Sequence, residues 1–175
     1  ALILFSFVLW FFFNFISKKN KYFFNISSDK NFIKFFVLLI FLQITLGAFV
    51  SGLDAGKIYQ TWPLMNYTYF PDDVDFYNIS FKGIFYDPSL TQFLHRNLAY
   101  LIFAYSIGTL IYIFNKKKEN LYFPILLVFL LLVVQIFIGI VTLISGLNIV
   151  YASMHQVSTI FLLSASIYFY HKSIN

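Results

Sequence analysis

Residues 121–145 read LYFPILLVFLLLVVQIFIGIVTLIS, twenty-five positions without a charged side chain. A helix needs about 20 mostly apolar residues to cross a bilayer, and a soluble helix of that length would show a charged face. The run therefore reads as a membrane span. Residues 32–50, 90–114 and 149–170 read the same way, and residues 1–16 form a fifth, slightly short run. No basic segment precedes that last run and no small-residue cleavage site follows it, so it is not a signal peptide. It is expected to be the end of a spanning helix that starts upstream. On this reading residues 1–31 are that helix end plus a cytoplasmic loop, and residues 32–175 are a four-helix membrane domain.

Composition points the same way. Of 175 residues, 60% are hydrophobic and 11% charged, with 25 Phe and 13 Tyr; a soluble domain carries about 25% charged residues. That is too little charge to cover a solvated surface, which excludes a soluble globular enzyme, a disordered tail and a nucleic-acid-binding domain. The net charge of +5 does not revive the last of these, because the lysines sit in short clusters between apolar runs. The absence of cysteine removes disulfides, thiolate metal sites, iron–sulfur clusters and Cys nucleophiles. The expected fold is an all-α polytopic membrane protein: a four-helix transmembrane bundle preceded by the end of another transmembrane helix.

The connections set an orientation in the lipid bilayer. Lys18, Lys19, Lys21, Lys30 and Lys34 surround the first, Lys116, Lys117 and Lys118 fill the third, and Lys172 follows the last helix. Basic residues near helix ends stay in the cytoplasm. The long second connection, residues 53–89, carries Asp54, Asp72, Asp73, Asp75 and Asp87 against Lys57 and Lys82, and residues 146–148 are uncharged. The even connections are thus expected outside and the C-terminus in the cytoplasm. Trp62 and the tyrosines of the long loop suit a segment lying at the membrane surface, with no separate soluble domain inside it.

A unit recurs within the apolar runs. Gln43-Ile44-Thr45-Leu46-Gly47, then Ser51-Gly52-Leu53, is echoed by Gln135-Ile136-Phe137-Ile138-Gly139, then Ser145-Gly146-Leu147. Each outward helix is followed by a returning helix with a histidine near its outer end, His95 beside Arg96 in one and His155 in the other. The bundle is therefore read as two repeated hairpins related by an approximate two-fold axis along the membrane normal. At about 1.5 Å per residue both histidines lie roughly 8–9 Å inside the outer ends, at matching depth.

Ionisable groups at such depth are costly and mark function by default. Zinc wants four ligands, or three and a water, and the spans offer two histidines with no cysteine or carboxylate. Haem iron needs only an axial pair from the protein, so His95 and His155 are the candidate metal ligands. Ala99 beside His95, and Ala152, Ser158 and Thr159 beside His155, leave room for a flat macrocycle. Blander readings stand beside these. The histidines would also serve as hydrogen-bond partners for Gln43, Gln135 or Tyr105, and the Gln-x-x-x-Gly pairs as helix packing. Arg96 suits a haem propionate and a lipid headgroup about equally, and His171 reads as an interfacial residue.

The chain resembles haem A synthase of the bacterial and mitochondrial type. The resemblance runs from about residue 32 to 170 and rests on five segments in order. They are residues 43–56 ending Gly52-Leu53-Asp54-Ala55-Gly56, then Thr61-Trp62-Pro63-Leu64-Met65, Gln92-Phe93-Leu94-His95-Arg96, residues 135–143, and His155-Gln156. It implies the C-terminal half of an eight-helix enzyme of the plasma (inner) membrane that oxidises a ring methyl of haem O to the formyl of haem A. It further implies a haem b held by His95 and His155 as axial ligands, with Arg96 at the cofactor, and haem O synthase as a candidate partner. The family's proposed catalytic glutamate belongs to the other half, so no catalytic residue is assigned here; the one Glu of this chain, Glu119, lies in an inner connection. Gln60 stands where the family often has Asn, and the cysteine pair of some members is absent. Two other functions fit the residues: a bis-histidine b-type membrane cytochrome that only transfers electrons, and a transporter whose histidines relay protons. The second expects helices broken by Pro or Gly at mid-membrane, and Pro124 lies instead near a helix start.

Overall fold

The apolar runs become helices in the computed structural model, which describes residues 1–24, 31–75 and 83–174. Among the described residues six α-helices follow in order: α1 (Leu2–Ser17), α2 (Asn31–Gly52), a short α3 (Gly83–Tyr86), α4 (Pro88–Asn115), α5 (Tyr122–Ile144) and α6 (Ile149–Ser173). Lys30, Lys82 and the rest of residues 76–82 in the long loop lie outside the described residues.

Among the described residues three helices are long and apolar enough to cross a membrane: Asn31–Gly52, Pro88–Asn115 and Glu119–Ile144. The expected fourth, α6, has the length at 25 residues but not the composition, because Ser153, His155, Gln156, Ser158, Thr159, Ser164 and Ser166 dilute its apolar content. Several of those hydroxyls turn back onto their own helix. Thr159 donates to the His155 carbonyl, Ser164 to Ile160 and Ser166 to Leu162. Satisfied in this way, they no longer need water.

Helix α2 packs on α4 and α6, and α5 packs on α4 and α6. The four long helices therefore form a closed ring with α4 and α6 at opposite corners. Most of the apolar core lies in the half nearer the Lys116–Lys118 connection, here called the lysine end. Ile33, Phe36 and Ile40 of α2, Ile102 and Ile113 of α4, Ile125 and Val128 of α5, and Leu163 and Ile167 of α6 are buried there. The other half, the loop end, is packed more loosely and carries the histidines.

Helix α1 docks on the lysine end of α6. Trp10 Nε1 and Asn14 Nδ2 donate to the Lys21 carbonyl, and Lys21 Nζ donates to the carbonyls of His171 and Ile174 at the end of α6. A cation there suits the negative end of the helix. His171 is 2% exposed. It lies between the Trp10 and Phe13 rings with Nε2 3.0 Å from Asn14 Oδ1. The interfacial reading of His171 is thus corrected: α1 covers it.

Asp87 starts α4, its Oδ1 accepting from Leu90 N at 3.0 Å, with Pro88 at the first helical position where no N–H is needed. Asp87→Ala is expected to cost about 1 kcal/mol. A lower midpoint of thermal unfolding in detergent, with helix content unchanged, is the result that checks it.

Candidate functional site

The repeated unit is a physical clip. In the first hairpin Gln43 Nε2 of α2 donates to the His95 carbonyl of α4 at 3.0 Å and lies 3.3 Å from the ring atom Nε2. One turn further along α2 stands Gly47, where a Cβ would come within 3.1 Å of His95 Cε1. In the second hairpin Gln135 Nε2 of α5 donates to the His155 carbonyl of α6 at 2.9 Å and lies 3.2 Å from His155 Nδ1. A Cβ on Gly139 would come within 2.9 Å of His155 Cε1. Glutamine and glycine are four residues apart because that spacing puts both on one helix face. The amide fixes the neighbouring helix and the missing Cβ makes room for the imidazole.

These contacts settle what the glutamines do. They hold the histidines, as one of the blander readings expects, whereas Tyr105 bonds the Phe32 carbonyl instead. Ser158 and Thr159, read from sequence as small neighbours, turn out to grip Gln135. Ser158 Oγ donates to its Oε1 at 2.5 Å, and its Nε2 donates to Thr159 Oγ1 at 2.6 Å. The i, i+3 and i, i+4 spacing from His155 was the available signal.

His95 and His155 stand on α4 and α6, at opposite corners of the ring. The donor set suits a group that brings most of its own ligands. Among the described residues no three of His, Cys, Asp and Glu come together to hold a bare metal ion. His95 Nδ1 is buried with no hydrogen-bond partner, a nitrogen whose lone pair or proton finds nothing in the protein. Two imidazoles on different helices, one with an unused nitrogen, suit a group such as haem that needs few ligands from the protein.

Arg96 sits against the long loop. Its Nη2 donates to the Tyr59 carbonyl at 2.9 Å and its Nη1 to Leu64 at 3.4 Å, so it ties the long loop to α4. Its Nε is buried without a partner. Sequence reasoning missed the rest of this tie. Gln92 Nε2 also donates to the Tyr59 carbonyl, and Trp62 Nε1 donates to Tyr100 Oη at 3.0 Å. The Tyr59 phenol donates to Asp72 and Asp73 at 2.6 and 2.7 Å, and Ser89 donates to the other oxygen of Asp73. Burial, and then the two carboxylates, hold that phenol's pKa well above its ordinary value. The α5–α6 connection joins in, with Leu147 filling the space a Cβ would need at Gly56. The two loops thus touch at the histidine end of the bundle.

The sequence profile of the family described as cytochrome oxidase assembly protein matches residues 1–167. A haem A synthase of Pelagibacter ubique (strain HTCC1062) is 45% identical over 82% of this chain and 42% of its own length. One from Wolbachia pipientis wMel is 35% identical over 97% of this chain and 47% of its own. A third, from Rickettsia bellii (strain OSU 85-389), is 39% identical over 77% of this chain and 40% of its own. The matches span less than half the length of each of these relatives. No solved structure matches. The profile takes in both glutamine–glycine helices and both histidine clips, and on that ground the chain belongs to the cytochrome oxidase assembly protein family.

Proposed function

We propose that this chain is the haem b-binding half of a haem A synthase, the enzyme that oxidises a ring methyl of haem O to the formyl of haem A. The observation that carries the reading is the pair of imidazoles on opposite corners of one bundle, each clipped by a glutamine and faced by a glycine. The relatives' names favour a synthase over a cytochrome that only transfers electrons.

A b-type haem between two imidazoles supplies one-electron transfer. The protein's part is to hold and enclose it. His95 and His155 would hold it through their ring nitrogens. Gln43 and Gln135 stop α4 and α6 from rotating, and Gly47 and Gly139 keep the ring faces free of side chains. Arg96, with one donor unspent at the loop end, pairs with an anionic propionate. The tied loops exclude water from that end. The chain lies in the plasma (inner) membrane with its C-terminus in the cytoplasm, as the lysine clusters support. Haem O and haem A are substrate and product of the whole enzyme, and haem O synthase is the candidate supplier of the first.

The purified chain in detergent is expected to take up one haem per molecule. It should give a low-spin b-type reduced-minus-oxidised spectrum, with the pigment confirmed as its pyridine haemochrome, and by itself convert no haem O to haem A. A chain that is helical by circular dichroism yet stays colourless after haem addition overturns the reading.

A further inference from the structure

Each clip fixes a histidine within its own hairpin, so the gap between the two histidines depends on how the hairpins sit against each other. From mid-helix to the lysine end the packed core holds them, with Phe103 against Phe129 and Phe114 against Tyr122. At the loop end they meet through their connections. Gly56, just beyond α2, is buried, and a Cβ there would come within 2.8 Å of Leu147 Cδ2 and 3.3 Å of Cδ1. Leu147, two residues before α6, thus seats its branched end on bare backbone. Beside it, a Cβ on Gly146 would lie 3.7 Å from Gln60 Oε1 of the long loop.

The backbone that carries this leucine is unusual. Gly146 has φ 69° and Leu147 φ 62°. That left-handed region is costly for an L side chain and open to glycine. A second glycine would relax the turn, so what leucine adds at this position is its side chain.

We infer that Leu147, seated on Gly56, is the spacer that fixes the distance between the loop ends of α2 and α6, and through it the gap between His95 and His155. It is a positioning residue for the cofactor, and this rests on the haem reading above. His155 lies about two turns along from Leu147, and His95 is bonded by Gln43 and faced by Gly47 of α2. A shift of α6 against α2 at this end therefore changes the gap between the rings. Bonds to a metal tolerate about 0.2 Å each, less than the width of one of the methyl groups that Leu147 places in the contact.

The test reads spacing and haem separately. The chain has no cysteine, so spin labels attach only at Ser51→Cys and Ile149→Cys, exposed positions on α2 and α6 that flank the contact. Double electron–electron resonance gives the label distances without haem. Transfer to apomyoglobin gives the rate of haem release from the loaded, unlabelled chain. Leu147→Gly is expected to move the distances to shorter, broader values and to speed release by about tenfold, the low end of what a lost supporting contact costs a metal site. Gly56→Leu puts two leucines where one fits, moves the distances the opposite way and also speeds release. Leu147→Met conserves the volume and stays at wild type in both measurements. Unmoved distances in Leu147→Gly or Gly56→Leu, moved distances with unchanged release, or release from Leu147→Met as fast as from Leu147→Gly each overturn the proposal and leave the haem reading intact. A wild-type chain that binds no haem overturns that reading instead, while the label distances still decide whether Leu147 sets the spacing. Should one of the two spacing variants lose helix content, the other decides by the same two measurements.

Discussion

His95→Ala and His155→Ala are each expected to abolish the low-spin haem spectrum of this chain. On the proposed reading the macrocycle would supply four equatorial nitrogens and the protein two bonds, of which each substitution would remove one. The loss exceeds the roughly 10–100-fold in affinity that a missing supporting contact costs a metal site, so little haem should survive purification, and what does should be high-spin. Folding is not the explanation to fear, since alanine is the best helix former and the apolar core lies mostly in the other half of the bundle. Circular dichroism at the wild-type level alongside the lost spectrum is the expected pair of readings. A low-spin spectrum that persists in either variant would remove that histidine from the axial pair.

Crowding the rings should have nearly as large an effect without touching a ligand. Gly139→Leu is expected to eliminate low-spin haem, and Gly139→Ala to reduce it more than Gly47→Ala. The grading comes from distance: the added Cβ meets His155 Cε1 at 2.9 Å but His95 Cε1 at 3.1 Å. An imidazole free of metal can swing aside, whereas one bound to iron cannot, so the overpacking cost of about 1–3 kcal/mol falls mainly on the loaded state. The same change raises helix propensity by about 1 kcal/mol, so the unloaded protein should be no less stable. Gly52→Ala and Gly108→Ala are the controls, because a Cβ at either meets nothing within 4 Å. Haem content and thermal midpoint measured on all five variants check this; equal haem retention in Gly139→Leu and Gly108→Ala would count against the clip.

Sequence alone determined the helices and the pairing within each hairpin. Residues 121–145 were legible as a span because apolar length is a local property, and α5 runs Tyr122–Ile144. The repeat of glutamine, glycine and histidine was legible for the same reason, as spacing along one helix fixes which side chains share a face. Hydropathy alone understates α6, since hydroxyls that bond their own helix look polar in composition. His171 looked interfacial because nothing in its own segment announces that Trp10 and Phe13 will cover it. Only the tertiary structure decided that α4 and α6, which carry His95 and His155, take opposite corners. It also decided that Arg96 holds the long loop, and that Gln43 is left with an unpaired oxygen while the Gln135 oxygen accepts from Ser158. Those outcomes depend on contacts between residues far apart in the chain, whose free energies no local pattern encodes.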